Sequence, residues 1–341
     1  MSNIWENILT AEQKQNIIIL KGPVFIIGAS GFIGANLFHC LNTFRDDVFA
    51  CSRDIQKSWR LKGSDASKLI NVDITDFEKL KDIINKYSPA TIYNLAAYGA
   101  YSKQQEYKKI YDINITANIS VLEILKNKGF DAYIHAGSSS EYGLNSNAPK
   151  EDDELIPNSH YAISKASFYH VLKYYGVMEK LPVMNLRLYS VYGPWEEPDR
   201  LIPVLIYNAR HKTLPPFVHP EISRDFIYIS DVITAFIYAA ISIKPELYGR
   251  AYNIGTGVKT TIKELAEKTI NVFNLDVKPV FGSMEDRKWD LPDWYANINN
   301  AVKDFNWKPS VKLEQGLLKT SDWQNAVDFD NALWNFIPRI K

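Results

Sequence analysis

The chain has only two cysteines, Cys40 and Cys51, among its 341 residues. That is too few for a disulfide framework, so a reducing compartment is expected. Excess charge is missing as well. Lys and Arg number 39 and Asp and Glu number 39, so no overall field recruits nucleic acid or an anionic bilayer. No apolar run approaches the roughly 20 residues of a membrane helix. The first residues carry Glu6 and no basic run ahead of an apolar one, so no signal peptide is read there. The six histidines show no metal-ligand spacing. These absences point to a soluble, cytoplasmic protein with neither nucleic acid, membrane nor metal as partner, and with residues enough for a large core.

What is present begins with Val24-Phe-Ile-Ile-Gly28-Ala-Ser30-Gly31-Phe32-Ile33-Gly34. Four apolar residues suit a strand buried on both faces. Three glycines then recur at a three-residue spacing, and a helical pattern follows over 35–41. Gly28 permits a sharp turn, Gly31 removes a side chain where a pyrophosphate approaches, and Gly34 lets helix pack on strand. The helix N-terminus offers free N–H groups to phosphate.

Apolar runs continue at 48–51, 69–72, 91–95, 132–136 and 183–188, separated by intervals long enough for crossover helices such as 114–128 and 161–180. Repeated βα units predict a Rossmann-type doubly wound parallel α/β sheet, with ligands at the strands' C-terminal ends. After Tyr189 the rhythm breaks into proline-punctuated loops and shorter elements. The expected division is a helical extension over 1–21, a dinucleotide-binding domain over 22–190, a mixed α/β substrate lobe over 191–320, and a tail over 321–341. Some late element is expected to return to the first domain. Ile4, Trp5, Ile8 and Leu9 at helical spacing predict a short amphipathic helix in the extension.

Tyr161-Ala-Ile-Ser-Lys165 places a phenol and an ammonium on one helix face. A phenol near pH 10 is a poor acid–base group at pH 7, and a nearby cation favours the phenolate. The run His135-Ala-Gly-Ser138-Ser139-Ser140-Glu141-Tyr142-Gly143 ends a strand in hydroxyls, which puts them at the sheet's C-terminal edge. Ser138 can hold a sugar oxygen that alternates between alcohol and ketone.

Together these motifs resemble the extended short-chain dehydrogenase/reductases, in the branch that modifies nucleotide-activated sugars. The resemblance runs from about Val24 to Leu318. It implies a catalytic set of Ser138, Tyr161 and Lys165. It implies cofactor contacts from Gly28, Ser30, Gly31, Phe32, Ile33 and Gly34, from Ser52 and Arg53, and from Asp73 and Ile74. Leu95, Ala96, Ala97, Asn114 and Leu188, with Tyr161 and Lys165, complete the cofactor site. It implies substrate contacts from Tyr98, Ser138, Ser139, Ser140, Ser190, Arg224 and Arg287. The two arginines match a diphosphate, because a planar guanidinium holds phosphate oxygens bidentately. Family members often dimerise through two helices, here 114–128 and 161–180, so a homodimer is expected.

Cofactor and reaction follow from particular residues. The second strand ends in Cys51-Ser52-Arg53, with Arg60 beyond, rather than in an acid. A cation and a hydroxyl favour a 2′-phosphate, so NADP(H) is expected, with NAD as the alternative. Dehydration is disfavoured. The 4,6-dehydratases carry acids where Ser139 and Ser140 stand, and Glu141, one step on, points to the other face. The sequence also resembles CDP-abequose and CDP-paratose synthases and GDP-4-keto-6-deoxymannose reductases. The expected reaction is therefore reduction at C4 of a nucleotide-linked 4-keto-6-deoxy or dideoxy hexose, with Tyr161 as proton donor. A 4-epimerase using the same residues is the alternative, and a non-enzymatic NADP-binding sensor or scaffold the second. Ser190 departs from the asparagine of many relatives.

Overall fold

A computed structural model describes residues 4–101, 103–283 and 290–327. Strand β1 (Val24–Ile27) is buried at all four positions, and this is what its unbroken apolar run is for. It is followed by helix α1 (Phe32–Phe44), whose N-cap is Gly31. Next come β2 (Val48–Ser52), β3 (Leu69–Asn71) and β4 (Thr91–Asn94). Then follow β5 (Ala132–Ser138), helix α2 (His160–Val177) and β6 (Val183–Leu188). A seventh strand, β7 (Ala251–Ile254), arrives from late in the chain and pairs with β6 in parallel. The spatial order is β7, β6, β5, β4, β1, β2, β3. Every pairing is parallel, for instance Val24 with Val48 and Val24 with Thr91. The order reverses between β1 and β4, and a crevice therefore opens at the C-terminal ends of those two strands.

The remaining elements build the lobe beyond β6. Residues Ser190–Tyr192 pair in parallel with Phe226–Tyr228, and Ser223–Arg224 pair antiparallel with Thr260–Thr261. The sequence pattern predicts a strand over 225–229, and the strand formed is Phe226–Tyr228, because the Asp225 carboxylate turns away to bind backbone. It accepts from the N–H groups of Thr256 (2.7 Å), Gly257 (2.9 Å) and Ala296 (3.1 Å). The sequence pattern also predicts a helix over 231–243; helix α3 (Ile229–Ile241) starts two residues earlier and is buried almost throughout. The Asp231 carboxylate accepts from Ser310 Oγ (2.8 Å) and Val311 N (3.0 Å), which ties the lobe's late loop to this helix.

Two further local departures have plain causes. The helix expected over 114–128 is regular only as α4 (Asn118–Lys128), and residues Asp112–Ala117 widen into a π-turn. Asn118 Nδ2 donates to the carbonyls of both Ile113 and Asn114 at 3.0 Å, inserting a side chain into the hydrogen-bond ladder. The N-terminal extension forms two helices, Ile4–Ile8 and Ala11–Ile19, the second opened by a reciprocal Thr10–Gln13 capping box. Both pack on the body through Trp5 and Ile17. Arg45 donates to the carbonyls of Ile17 (2.9 Å) and Leu20 (2.6 Å), neutralising the second helix's C-terminal end. Among the described residues no helix is long and apolar enough to cross a membrane.

Candidate active site

The glycine turn lies at the crevice. Gly28 has φ +83°, and a Cβ there would stand 2.6 Å from the Ala96 nitrogen. A Cβ on Gly34 would stand 2.5 Å from the Gly28 carbonyl oxygen. Turn, helix and the Leu95–Ala96 segment after β4 are therefore packed backbone to backbone. A Cβ on Gly31 would meet only the Gly28 oxygen, at 3.3 Å, so its other side is open. This cradle, capped by the N-terminus of a 13-residue helix, fits a dinucleotide's pyrophosphate. Phe32 and Ile33 form the first turn of that helix, and Ser30 Oγ bonds Ser52 Oγ at 2.6 Å.

At the rim, Arg53 is mostly exposed and stands 3.5 Å from Asp73. Asp73 also accepts from Thr75 N and Oγ1, and these bonds with Arg53 hold its carboxyl below the usual range against the opposing pull of desolvation. Ile74 is buried beside it. Arg60, the second cation expected for a 2′-phosphate, is not free for one. It is buried, donates to the Trp195 carbonyl (2.7 Å) and to Ser30 O (3.4 Å), and pairs with Glu197 (2.9 Å).

Ser138, Tyr161 and Lys165, the set expected from the sequence, meet where β5 ends. Ser138 is its last residue, and its hydroxyl accepts from Ser140 N at 3.1 Å. Tyr161 and Lys165 lie on the first turns of α2, and the Tyr161 hydroxyl hydrogen-bonds Ser138. The Gly99 backbone lies against the Tyr161 ring. Asn114, in the π-turn, binds both ends of the Tyr98 backbone (2.8 Å each) and Ser164 Oγ (2.9 Å). The Tyr98 hydroxyl donates to Glu106 (2.8 Å).

The electrostatics correct one sequence expectation. Lys165 does not lower the Tyr161 pKa here. Burial pushes that phenol up to about 12, opposed by the Ser138 hydrogen bond. The Lys165 ammonium is 6.0 Å from the ring centroid and donates instead to the Ala136 carbonyl (2.8 Å), with His135 Nε2 at 3.4 Å. Burial lowers Lys165 itself to about 8. The spacing of four residues put both groups on one face, but only the floor of the crevice decides where the long side chain points.

Glu141 is fully buried. Its carboxylate accepts from Ser138 N (3.0 Å), from Asn185 Nδ2 (3.1 Å) and from Arg187 Nε (2.7 Å). It is thus the counter-ion of a charged residue in the middle of β6 rather than a group facing substrate. Ser139 is buried and accepts from Trp294 Nε1 (2.9 Å). Ser190 donates its N–H to the Asp225 carbonyl (2.9 Å), and Leu188 is buried at the end of β6. Arg224 donates to the Ser223 carbonyl (2.7 Å), pairs with Asp290 and lies over the Trp294 ring at 5.2 Å. The aromatic-rich tail, with Trp323, Phe329, Trp334 and Phe336, reads from its sequence as a helix packing on the body. Arg287 and the last three of those aromatics lie outside the described residues. Trp323 packs on Trp195.

Sequence reasoning missed His135 beneath Lys165 and Arg200, whose charge reaches Tyr161 and whose guanidinium lies 5.6 Å from the Tyr101 ring. Nothing local marked either one. Among the described residues no cluster of His, Cys, Asp or Glu could hold a metal ion.

Comparison with known proteins agrees with this geometry. Residues 24–255 match the model of the NAD-dependent epimerase/dehydratase family. A UDP-glucuronate 4-epimerase of Thermodesulfobacterium geofontis is 30% identical over 315 residues, covering 89% of this chain and 96% of that protein. Among solved structures, an epimerase of Methanothermobacter thermautotrophicus shares the fold with a TM-score of 0.81 at 23% identity, covering 93% of this chain and 96% of that one. UDP-glucuronic acid 4-epimerase of Bacillus cereus, solved with UDP-glucuronic acid and NAD, has a TM-score of 0.77 at 25% identity, covering 89% of this chain and 99% of its own.

Proposed function

The chain belongs to the NAD-dependent epimerase/dehydratase family, and we propose on that footing that it inverts C4 of a nucleotide-activated sugar. The observation that carries this reading is the convergence of Ser138, Tyr161 and Lys165 at the sheet edge beside the glycine cradle. A bound nicotinamide supplies hydride to, and takes it from, a sugar carbon. Tyr161 exchanges the proton at O4, and Ser138 hydrogen-bonds the same oxygen. Lys165 binds the nicotinamide ribose. Gly28, Gly31 and Gly34 with the α1 N-terminus hold the pyrophosphate, and Asp73 with Ile74 lines the adenine end. Arg224 and Arg287 are assigned to the substrate's diphosphate, and Tyr98, Ser139, Ser140 and Ser190 to the sugar side.

The names of the relatives favour epimerisation over the ketoreduction expected first from the sequence. The reductase remains the second reading because Ser52 and exposed Arg53 suit a 2′-phosphate. Purified protein, stripped of nucleotide and reloaded, decides between them when given UDP-, dTDP-, GDP- and CDP-hexoses and their 4-keto-6-deoxy forms. Interconversion of sugars without net change at 340 nm supports the epimerase. Stoichiometric loss of NADPH with a ketosugar replaces it with the reductase. No turnover of any sugar leaves the sensor or scaffold reading. For the cofactor, Arg53→Ala is expected to weaken NADPH binding about tenfold, since a charge-assisted hydrogen bond is lost, with NADH unaffected. Equal loss for both cofactors in a fluorescence titration would show that Arg53 does not read the 2′-phosphate.

The homodimer is proposed through α4 and α2. The latter exposes Ile163, Tyr174 and Val177, with Met178 at its end. Sedimentation velocity tests it, a monomer at micromolar concentration counting against it. A cytoplasmic setting fits two buried, free cysteines, and fractionation of cells checks it.

A further inference from the structure

His135 stands on β5, three residues before Ser138, and is fully buried. Its Nε2 is 3.4 Å from the Lys165 ammonium. The ammonium donates, so the imidazole accepts through Nε2 and carries its proton on Nδ1. Nδ1 is buried and has no hydrogen-bond partner. The ring packs edge-on against Phe168 with centroids 4.7 Å apart. An aromatic hydrocarbon would fill that space without leaving a polar atom unpaired, an omission that normally costs stability. The imidazole therefore contributes something there that packing does not require, and its one polar contact is Lys165.

We propose that His135 is a positioning residue, whose Nε2 holds the Lys165 side chain at the crevice floor and keeps it charged for the nicotinamide ribose. The inference rests on the reading above, in which Lys165 binds that ribose. The contact joins β5 to α2, so the strand that presents Ser138 also sets the cation serving Tyr161. The other groups facing this ammonium are few. Glu141, from the turn after β5, is already paired with Arg187 of β6. Tyr161 is on the same helix, and the π-turn offers uncharged Asn114 through Ser164. No other described partner replaces His135 as a side-chain acceptor for Lys165.

The test needs no sugar. NADPH and NADH binding is followed by fluorescence from pH 6 to pH 10 in the full chain, in His135→Phe and in His135→Gln, with thermal unfolding as the control for folding. Burial has already lowered Lys165 to about 8, so wild-type affinity is expected to fall as pH rises through that value. Phenylalanine removes an acceptor from a buried cation and disfavours the charged form further. The break then moves to lower pH by about one unit, which is about fivefold weaker binding at pH 8 and about tenfold by pH 10. Glutamine, whose carbonyl can accept, keeps the break where the wild type has it. A break unmoved in His135→Phe, or moved equally in both variants, overturns the proposal. The expected profiles in a chain that turns over no nucleotide sugar would overturn the C4 reading and leave this one standing.

Discussion

Tyr161→Phe is expected to lower C4 turnover about a thousandfold, the range of a positioned acid–base group, while NAD(P)H binds as before. The phenol is hydrogen-bonded to Ser138 and is one turn from Lys165 on α2. Phenylalanine keeps the ring and its contact with the Gly99 backbone, so the crevice should not collapse. What is lost is the proton. With burial holding the phenol at about 12, Tyr161 is protonated across the neutral range, ready to donate to O4. On the C4 reading, taking a proton from O4 needs the phenolate, and the oxidative direction should therefore gain more from rising pH than the reductive one. Single-turnover measurements in both directions check the substitution, and fluorescence titration checks the binding. A variant retaining a tenth or more of wild-type turnover would mean that some other group delivers the proton.

Arg187→Leu is expected to cost about 3–5 kcal/mol of stability, the penalty for stranding one member of a buried ion pair. Arg187 and Glu141 are both fully buried at 2.7 Å. Arg187 also donates to Tyr142 Oη (2.7 Å) and to the Glu151 carbonyl (2.9 Å), and lies between the Tyr142 and Tyr169 rings at 4.5 Å from each. Nearby carboxylate and phenol groups raise its pKa although burial opposes them, so it stays charged at every working pH. Leucine leaves the Glu141 carboxylate in the core with Asn185 and the Ser138 N–H alone. Because that carboxylate caps the turn carrying Ser138, kcat should fall as well. Urea unfolding measures the first effect. Pairing Arg187→Leu with Glu141→Gln should recover part of it, since no buried charge is then left unpaired. An unchanged unfolding midpoint in the single variant would show that the pair contributes nothing.

Much of this architecture is local, and local features are written in residue order. Val24–Ile27 is an apolar run that only a strand covered on both sides can use. Glycines at 28 and 34 are demanded by backbone contacts within 3 Å of where a Cβ would stand, whereas Gly31 leaves an open side. Tyr161 and Lys165 share a face because a helix repeats every 3.6 residues. Periodicity and steric necessity therefore determined the parallel sheet, the glycine turn and the shared helix face of Tyr161 and Lys165 from sequence alone, while the grouping of Ser138 with them came from the family resemblance.

What the tertiary structure decided are the meetings of residues far apart in the chain. Arg187 lies inside an apolar run, and its partner is 46 residues away. Arg60 stands in the sequence where a phosphate ligand is expected, but the Trp195 carbonyl and Glu197 occupy its guanidinium. Strand β7 returns to β6 from within the lobe sequence, more than 60 residues after β6 ends. Lys165 turns to Ala136 and His135 rather than to its helical neighbour. In each instance a long or charged side chain could satisfy itself in several ways, and the choice depends on which acceptor the packed fold brings within 3 Å or so. Spacing along a chain does not encode that.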